Sequence, residues 1–495
     1  MTVLVVGGGL SGLSTAMFMA LHGAPPLLVE KHPTTSVHPK ARGQFPHVME
    51  ALKVAGVDRK VVEASPTDGK FRIVRAVSLN GPVLQEILTT SPDFGHLSPA
   101  PWADVSQERM EPILAERARE LSADLRFGTE LVSWQQHDSG VTARLKNLAT
   151  GAEETVEVDY LVAADGHRSP IREALGVELQ GRGVLGEGTG VLFEADLQGQ
   201  QQFLAYLLNP ELPGGAGVLV STDVPGRYAV GVSNTDGDRD WRQIIRTATG
   251  IPDLEPKILD LPHGRSQTRH GVAERFSEGR IHLVGDAARM MPPTGAFGGN
   301  TAIMDGFGIG WKLAMVDKGD AGARLLSSHD PERRPYSTIL ADQQYLLFTQ
   351  RGRPDLADDP TLPEAVSPVN SLFFGYRQLG GAIITEAGDA GDLLEDAARP
   401  SGRPGGRAPY VKLANGSTID LLGRGFVLLT GNNEWRTDLP IDVQVVDGPD
   451  FLDKYGLTTE GAALVRPDFV IAWRSAEHDP AGLEKAWRTV LDLPV

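Results

Sequence analysis

The chain has 495 residues, 41% of them hydrophobic, a formal net charge of −17 and no cysteine. That length exceeds one ordinary core and predicts two to four domains, while the acidic balance opposes nucleic acid and anionic lipid, leaving a small molecule as the expected partner. Without cysteine there are no disulfides, thiolate metal sites or thiol chemistry, a composition suited to a reducing cytoplasm, and no metal is expected. The first predicted elements lie in TVLVVGGGLSGLSTAMFMALHGAPPLLVEKH: a buried strand from Val3 to Val6, a tight turn, a helix through Leu21, and a second strand over 27–29. Gly7, Gly9 and Gly12 complete G-x-G-x-x-G, and Glu30 closes the second strand. Gly7 permits the turn, Gly9 lets the backbone approach a pyrophosphate, and Gly12 allows close helix–strand packing. Leu10 and Ser11 open the helix that meets the phosphates, and Glu30, with Lys31 beside it, meets a ribose diol. The order of elements points to an adenine dinucleotide, and this loop by itself fits FAD and NAD equally.

In HPKARGQFPHVMEAL, Arg42 precedes a helix, where a guanidinium either clamps a phosphate bidentately or lies solvated on the surface. VSQERMEPILAERAREL predicts a helix N-capped by Ser106, with Met110, Ile113, Leu114, Arg117 and Leu121 on one face and Gln107 turned toward a cofactor. Strands are predicted over 125–134 and 141–148, then over 160–164, after which Asp165 and Gly166 turn the chain into a helix. In RIHLVGDAARMMPPTGAFGGN a strand over 281–284 leads to a loop with Asp286, Pro293, Gly295, Gly298 and Gly299, and Asn300 and Thr301 open a helix through Trp311 to Val316. Nothing in that loop resembles a catalytic base.

Taken together, the Gly7 to Gly12 loop, Arg42, ADGHRSPIR and LVGDAARMMPPTGAFGGNTAIMDGFGIGWKL resemble the single-component FAD-dependent aromatic hydroxylases, the p-hydroxybenzoate hydroxylase-like group A flavoprotein monooxygenases. The tail beyond residue 400 resembles that of the phenol hydroxylase and aromatic polyketide hydroxylase branch. The resemblance implies an α/β (α+β) fold in three parts. A discontinuous Rossmann-like FAD-binding domain spans 1–70, 103–176 and 271–395, an inserted antiparallel-sheet substrate domain spans 71–102 and 177–270, and a thioredoxin-like domain spans 400–495. It implies that Asp286 hydrogen-bonds the ribityl chain, that Pro293 walls the isoalloxazine, and that Gly295, Gly298 and Gly299 admit the ring to the backbone. The helix opened by Asn300 then stabilises the negative charge of reduced flavin. Asp165 and Gly166 are linked to FAD and NAD(P)H, with Arg168 a further contact. Two features depart from the pattern: Arg289 replaces a common His, and AFGGN replaces the commoner GQGMN. Arg289 either adds positive charge near the flavin or faces solvent.

Family members reduce FAD with NADPH or NADH and, through a C4a-hydroperoxyflavin formed with O2, hydroxylate an electron-rich phenol, so no acid–base triad is required. Substrate recognition is expected from the inserted sheet, in GTGVLFEADL, QFLAYLLN, GAGVLVSTD and RYAVGVSN, with Phe94, Trp102, Phe203, Tyr206, Asn234, Met290 and Met291 as pocket residues; aromatics at strand spacing serve equally as core. RPSGRPGGRAPY reads as a linker, followed by three strand runs and a helix over 480–491, in a domain whose lack of Cys leaves a structural or oligomerisation role. The opening apolar run makes a poor signal peptide, and no later run spans a bilayer, so the expectation is a cytoplasmic monomer or homodimer without membrane or nucleic-acid partners. The expected activity is NAD(P)H-consuming hydroxylation of a phenolic or polycyclic aromatic natural product. The alternatives are Baeyer–Villiger insertion into a ring ketone and an FAD-stabilised, non-catalytic partner protein. A flavin halogenase is disfavoured because no Trp-x-Trp occurs among the seven tryptophans.

Overall fold

The computed structural model describes residues 2–65, 71–89, 93–197, 199, 202–233, 239–259 and 266–494. At its centre lies a six-stranded sheet in the order Ser277–Glu278, Ile281–Leu283, Tyr160–Ala163, Val3–Val6, Leu27–Glu30, Asp124–Phe127. All neighbours are parallel except the first pair. The unbroken aliphatic run Val3–Val6 is buried throughout, as a strand covered on both faces requires. The helix Leu10–Leu21 packs against the long helix Phe297–Lys318. Glycines permit the close approach: a Cβ on Gly306 would lie 2.5 Å from Thr15 N, and one on Gly310 2.9 Å from Phe18 Cβ. Two segments almost 300 residues apart are thereby locked together in one core.

The strand expected over 125–134 is two strands, Asp124–Phe127 and Thr129–His137. Gly128, at φ +71°, turns the chain from the parallel sheet into a separate antiparallel sheet with Gly140–Asn147 and Glu153–Val158. The inserted sheet runs Arg289–Met290, Ser266–Ala273, Leu179–Glu194, Arg227–Ser233, Ala216–Ser221, Gln202–Leu208, Phe71–Ala76, Val83–Leu88, with Lys257–Ile258 beside the third strand. It is antiparallel except where Gln202–Leu208 meets Phe71–Ala76, the seam between the two inserted chain segments. Its first strand belongs to the Asp286 loop: Met290 pairs with Gly271 and Arg289 with Val272. The sheet therefore holds that loop directly.

In the C-terminal domain the strand order is Asp442–Val445, Val427–Thr430, Ala462–Val465, Ile471–Ser475, the first pair parallel and the others antiparallel. Helices Pro449–Tyr455 and Pro480–Val490 complete a thioredoxin-like arrangement, but residues 431–441 join the parallel strands without a helix. The expected single run over 461–475 is broken at Arg466–Val470, where Phe469 takes φ +68°. The segment read as a linker is largely buried instead. Gly405 N donates to Ile471 O at 2.8 Å, and a Cβ on Gly405 would lie 1.9 Å from Gln378 O. Its glycines serve close packing. Arg407 Nη2 meets both carboxylate oxygens of Glu50 at 2.6 Å, and Arg466 donates to Glu332 at 2.7 and 3.0 Å. One hydrophobic cluster runs from Leu13 and Trp311 to Phe426 and Trp487, so this domain shares the core of the first. No described helix is long and apolar enough to cross a membrane, and no described His, Asp or Glu side chains group as a metal site.

Candidate active site

The first glycine loop is held by backbone contact. Gly7 takes φ +112° and donates to Val29 O at 2.8 Å; a Cβ there would lie 2.2 Å from Ala164 O, and one on Gly12 would lie 1.9 Å from Gly7 O. Gly9 differs: its Cβ would meet only Glu111 Oε1, at 3.8 Å, leaving room for a ligand above it. Glu30 lies beneath the loop, accepting from Gly8 N at 2.7 Å and His32 N at 2.8 Å and pairing at Oε1 with the His32 ring at 2.5 Å, which leaves acceptor capacity on Oε2 for a hydroxyl donor. Lys31 is exposed. Leu10 and Ser11 are buried at the helix start, and Ser11 touches the second loop, since a Cβ on Gly285 would lie 2.4 Å from its Oγ.

The second loop carries a free carboxylate. Asp286, in the short turn Gly285–Ala287, accepts no hydrogen bond among the described residues. Asp286 is exposed to solvent, with protein packed closely around it. Burial pushes its carboxyl up, against the positive charges of Arg289, His167 and Lys40. Lys40, from the segment before Arg42, and His167, from the loop after Asp165, thus converge on Asp286. Asp165 itself braces a helix start whose N-cap is Ser169. It accepts from Ser169 Oγ at 2.6 Å and Ile171 N at 3.1 Å, fixing the short helix Pro170–Ala174, while Gly166 takes φ +84° and Arg168 is exposed.

The Phe297–Lys318 helix starts three residues before Asn300, after Ala296 at φ +63°. Its first-turn N–H groups have no partner within the helix, and the positive end of its dipole faces the same way. A Cβ on Gly298 would meet nothing within 4 Å, whereas one on Gly299 would lie 2.9 Å from Ala41 Cβ and 3.3 Å from Leu10 Cδ1. One glycine therefore opens the cradle and the next packs it. Gly295 takes φ +87° and Pro293 is exposed beside it. Asn300 is not a ring contact through its side chain. Its amide accepts from Phe45 N at 2.9 Å and donates to Gly43 O at 2.8 Å and Ala296 O at 2.7 Å, clamping the helix start to the 43–45 segment.

Three other expectations change. Arg42 does hold a bidentate partner, but it is Asp104, at 2.6 Å through both Nε and Nη2, and further donors reach Ser221 O and Gln202 Oε1 in the substrate sheet. With its fork so occupied, Arg42 joins the two domains. Gln107 donates to Glu111 Oε1 at 2.6 Å and accepts from Ala41 N at 3.4 Å, while Ser106 occupies the N-cap position without a side-chain capping bond. Arg289 neither faces solvent nor reaches the cleft freely: it is buried and paired with Asp305 at 2.6 Å, and Asp305 also accepts from Arg333 at 2.8 Å. Asp305, Arg333, Lys40 and His167 escaped the sequence reading. A lone Asp within the apolar run TAIMDGFGIG was the available signal, because a charge on a buried helix needs a partner.

An aromatic cluster flanks the helix start. Phe45 stacks on Phe373 with centroids 4.1 Å apart and meets Trp102 at 5.0 Å, Phe94 at 6.2 Å and Phe297 at 6.3 Å. Phe94 and Trp102 thus belong to it, and Met291 packs against it, while Met290 is buried in the sheet. Strand alternation separates the other two aromatics. Phe203, Ala205 and Leu207 pack against the helix Trp241–Thr249 on the far face, so Phe203 is core. Tyr206 faces the opposite way, toward Gly352 and Arg351 at the end of the helix His329–Gly352. Asn234 lies outside the described residues.

A glycine loop on a parallel sheet, a free carboxylate and an open helix N-terminus make the frame of a dinucleotide-binding protein, and the comparisons with known proteins give its family. Residues 1–344 match the FAD binding domain family, and residues 401–494 match the C-terminal domain of aromatic-ring hydroxylases. The chain belongs to the FAD-dependent aromatic-ring hydroxylases and is an FAD-dependent monooxygenase, for which O2 and a reduced nicotinamide are the co-substrates. It is 42% identical to aklavinone 12-hydroxylase of Streptomyces peucetius, with 86% of this chain and 90% of that protein covered. It is 37% identical to tetracenomycin A2 monooxygenase-dioxygenase of Streptomyces glaucescens, with 99% and 96% covered. The solved complex of aklavinone-11 hydroxylase with FAD and aklavinone matches with a TM-score of 0.92 at 36% identity over 99% of each chain.

Proposed function

We propose that this monooxygenase hydroxylates a ring carbon of a polycyclic aromatic polyketide. The observation that carries this reading is the family match over nearly the whole chain, taken with the aromatic cluster of Phe45, Phe94, Trp102, Phe297 and Phe373 packed at the start of the Phe297–Lys318 helix. The phenylalanines of that cluster are buried against one another, so a flat fused-ring substrate would meet its partly exposed members, Trp102 and Met291. The relatives named for aklavinone and tetracenomycin support the same substrate class.

The residues present fit FAD. Gly7, Gly9, Leu10, Ser11 and Gly12 would hold the pyrophosphate at the first helix, and Glu30 would take the ribose hydroxyls. Asp286 would take the ribityl hydroxyls, and the N–H groups of Gly298 and Gly299 would stabilise negative charge on the flavin. FAD, when bound, would supply the redox chemistry between a reduced nicotinamide and O2. The protein's own contribution is to orient the substrate ring and to exclude water: Pro293 and Gly295 wall the cleft, Asn300 fixes the helix start, and the sheet strand Arg289–Met290 ties the cleft to the substrate domain. No residue is assigned as a general base.

The test is product analysis by mass, using labelled O2, with tetracyclic anthraquinone and naphthacenequinone substrates and NADPH or NADH. One labelled oxygen on a ring carbon is expected. A lactone product would favour ring-ketone insertion, and nicotinamide oxidation indifferent to every aromatic offered would remove the substrate assignment.

A further inference from the structure

The Asp286 loop rests on a buried charge cluster. Asp305 accepts three hydrogen bonds, from Gly285 N at 2.9 Å, Arg289 Nη1 at 2.6 Å and Arg333 Nε at 2.8 Å. Arg333 also donates to Thr301 Oγ1, at 2.9 Å, inside the first turns of the Phe297–Lys318 helix. Two guanidiniums share this one buried carboxylate, and the carboxylate that stands next to them is Asp286, which Arg289 attracts. The other ionisable groups around the cluster are His329, which burial holds in its neutral form, the phenols Tyr336 and Tyr376, and Asp286 itself. Arg289 is 2% exposed, and its Nη2 is buried without any hydrogen-bond partner. A purely structural ion pair gains nothing from such an arm, since an unsatisfied buried donor is costly. This guanidinium and its costly arm lie three residues after the carboxylate assigned to the cofactor and within its electrostatic reach, and the helix N-terminus that follows has the same sign.

We propose that Arg289 sets the electrostatic potential of the flavin site. Anchored by Asp305, it adds a fixed positive charge to the open end of the Phe297–Lys318 helix and makes the site bind reduced flavin more tightly than oxidised flavin. The inference rests on placing the flavin ring at Gly298. Arg289 acts through the field rather than by touching the ring, and is therefore a positioning residue.

The experiment is a redox titration of the holoprotein against a reference dye, with FAD affinity of the apoprotein measured alongside by fluorescence. Arg289→Met should lower the ratio of reduced to oxidised flavin affinity by about tenfold, which is ~30 mV of midpoint potential for a two-electron couple. Arg289→Lys should restore most of that loss. Asp305→Asn removes the one negative charge yet keeps an oxygen for Gly285 N, and should shift the potential upward. Should Asp305→Asn not fold, Arg333→Met takes its place and should lower the potential as Arg289→Met does. A purely structural role weakens both oxidation states of the cofactor equally and leaves the potential unmoved; that outcome overturns the proposal while the flavin site stands. A wild-type protein that takes up no FAD would instead remove the flavin placement itself.

Discussion

At Gly7 and Gly12 the first loop is in contact with itself and its own sheet, so any added carbon would overlap backbone. At Gly298 the second loop has no neighbour within 4 Å on that side. At the adenosine end Gly7 and Gly12 are thus needed by the fold before any ligand arrives, and only Gly9 is left open. The flavin end is assembled from distant segments, 40–45, 165–169, 286–300 and 333, where Gly299 packs and Gly298 is needed only by what binds. The comparison teaches that each glycine-rich motif keeps one open glycine among others that the fold itself requires.

Substitutions at the two ends should therefore fail in different ways. The largest effect is expected from Gly12→Ala. Its methyl would meet Gly7 O at 1.9 Å, and displacing the loop should cost on the order of 3 kcal/mol, seen as a lower melting temperature of the apoprotein together with loss of FAD. An apoprotein melting like wild type would refute the packing account. Asp286→Ala should leave the apoprotein's melting temperature unchanged while weakening FAD by about 1.5 to 3 kcal/mol, the worth of hydrogen bonds to a charged acceptor; equilibrium dialysis reads this directly, and undiminished affinity would take Asp286 out of the site. Gly298→Ala should be smaller still in stability, within about 0.5 kcal/mol, but should shift the bound flavin's absorption and slow its reduction by NADPH. An unaltered spectrum and rate would move the ring elsewhere.

Acid acts on the buried ion clusters instead. Burial disfavours ionised Asp305, yet the Arg289 and Arg333 guanidiniums outweigh it and hold the carboxyl at about 2, below its ordinary 3.8. A depressed carboxyl stabilises the fold above the unfolded value, so this contribution is intact above about pH 4 and is lost as pH falls toward 2. Glu332, held at about 2 by Arg466 and Lys312 against the same burial, loses its contribution in the same window. Melting temperatures should fall across that range, and Asp305→Asn should flatten the dependence. An identical slope in the variant would show that the cluster contributes no such linkage.

The expected elements of the first loop, Val3–Val6, the helix to Leu21 and the strand ending at Glu30, match the structure because each follows from local periodicity and turn chemistry. Boundaries failed where a single residue redirected the chain, as at Gly128 and Phe469. The reading of residues 399–410 failed for another reason: Pro and Gly mark loops in sequence, but they also let backbone meet backbone, as Gly405 does. Arg42 and Arg289 show the limit for side chains. Nothing local revealed that Asp104 and Asp305 would claim them.

By itself the sequence determined the strand–glycine–helix unit of a dinucleotide site, because that unit depends on residues adjacent in the chain, and the family resemblance of its motifs added FAD. Only the tertiary structure decided which charges surround Asp286, which aromatics gather beside the helix start, and which faces Phe203 and Tyr206 present. Those outcomes depend on sheet register and on burial, and a charge or ring acquires its partner only when distant segments are brought within a few ångströms and water is excluded.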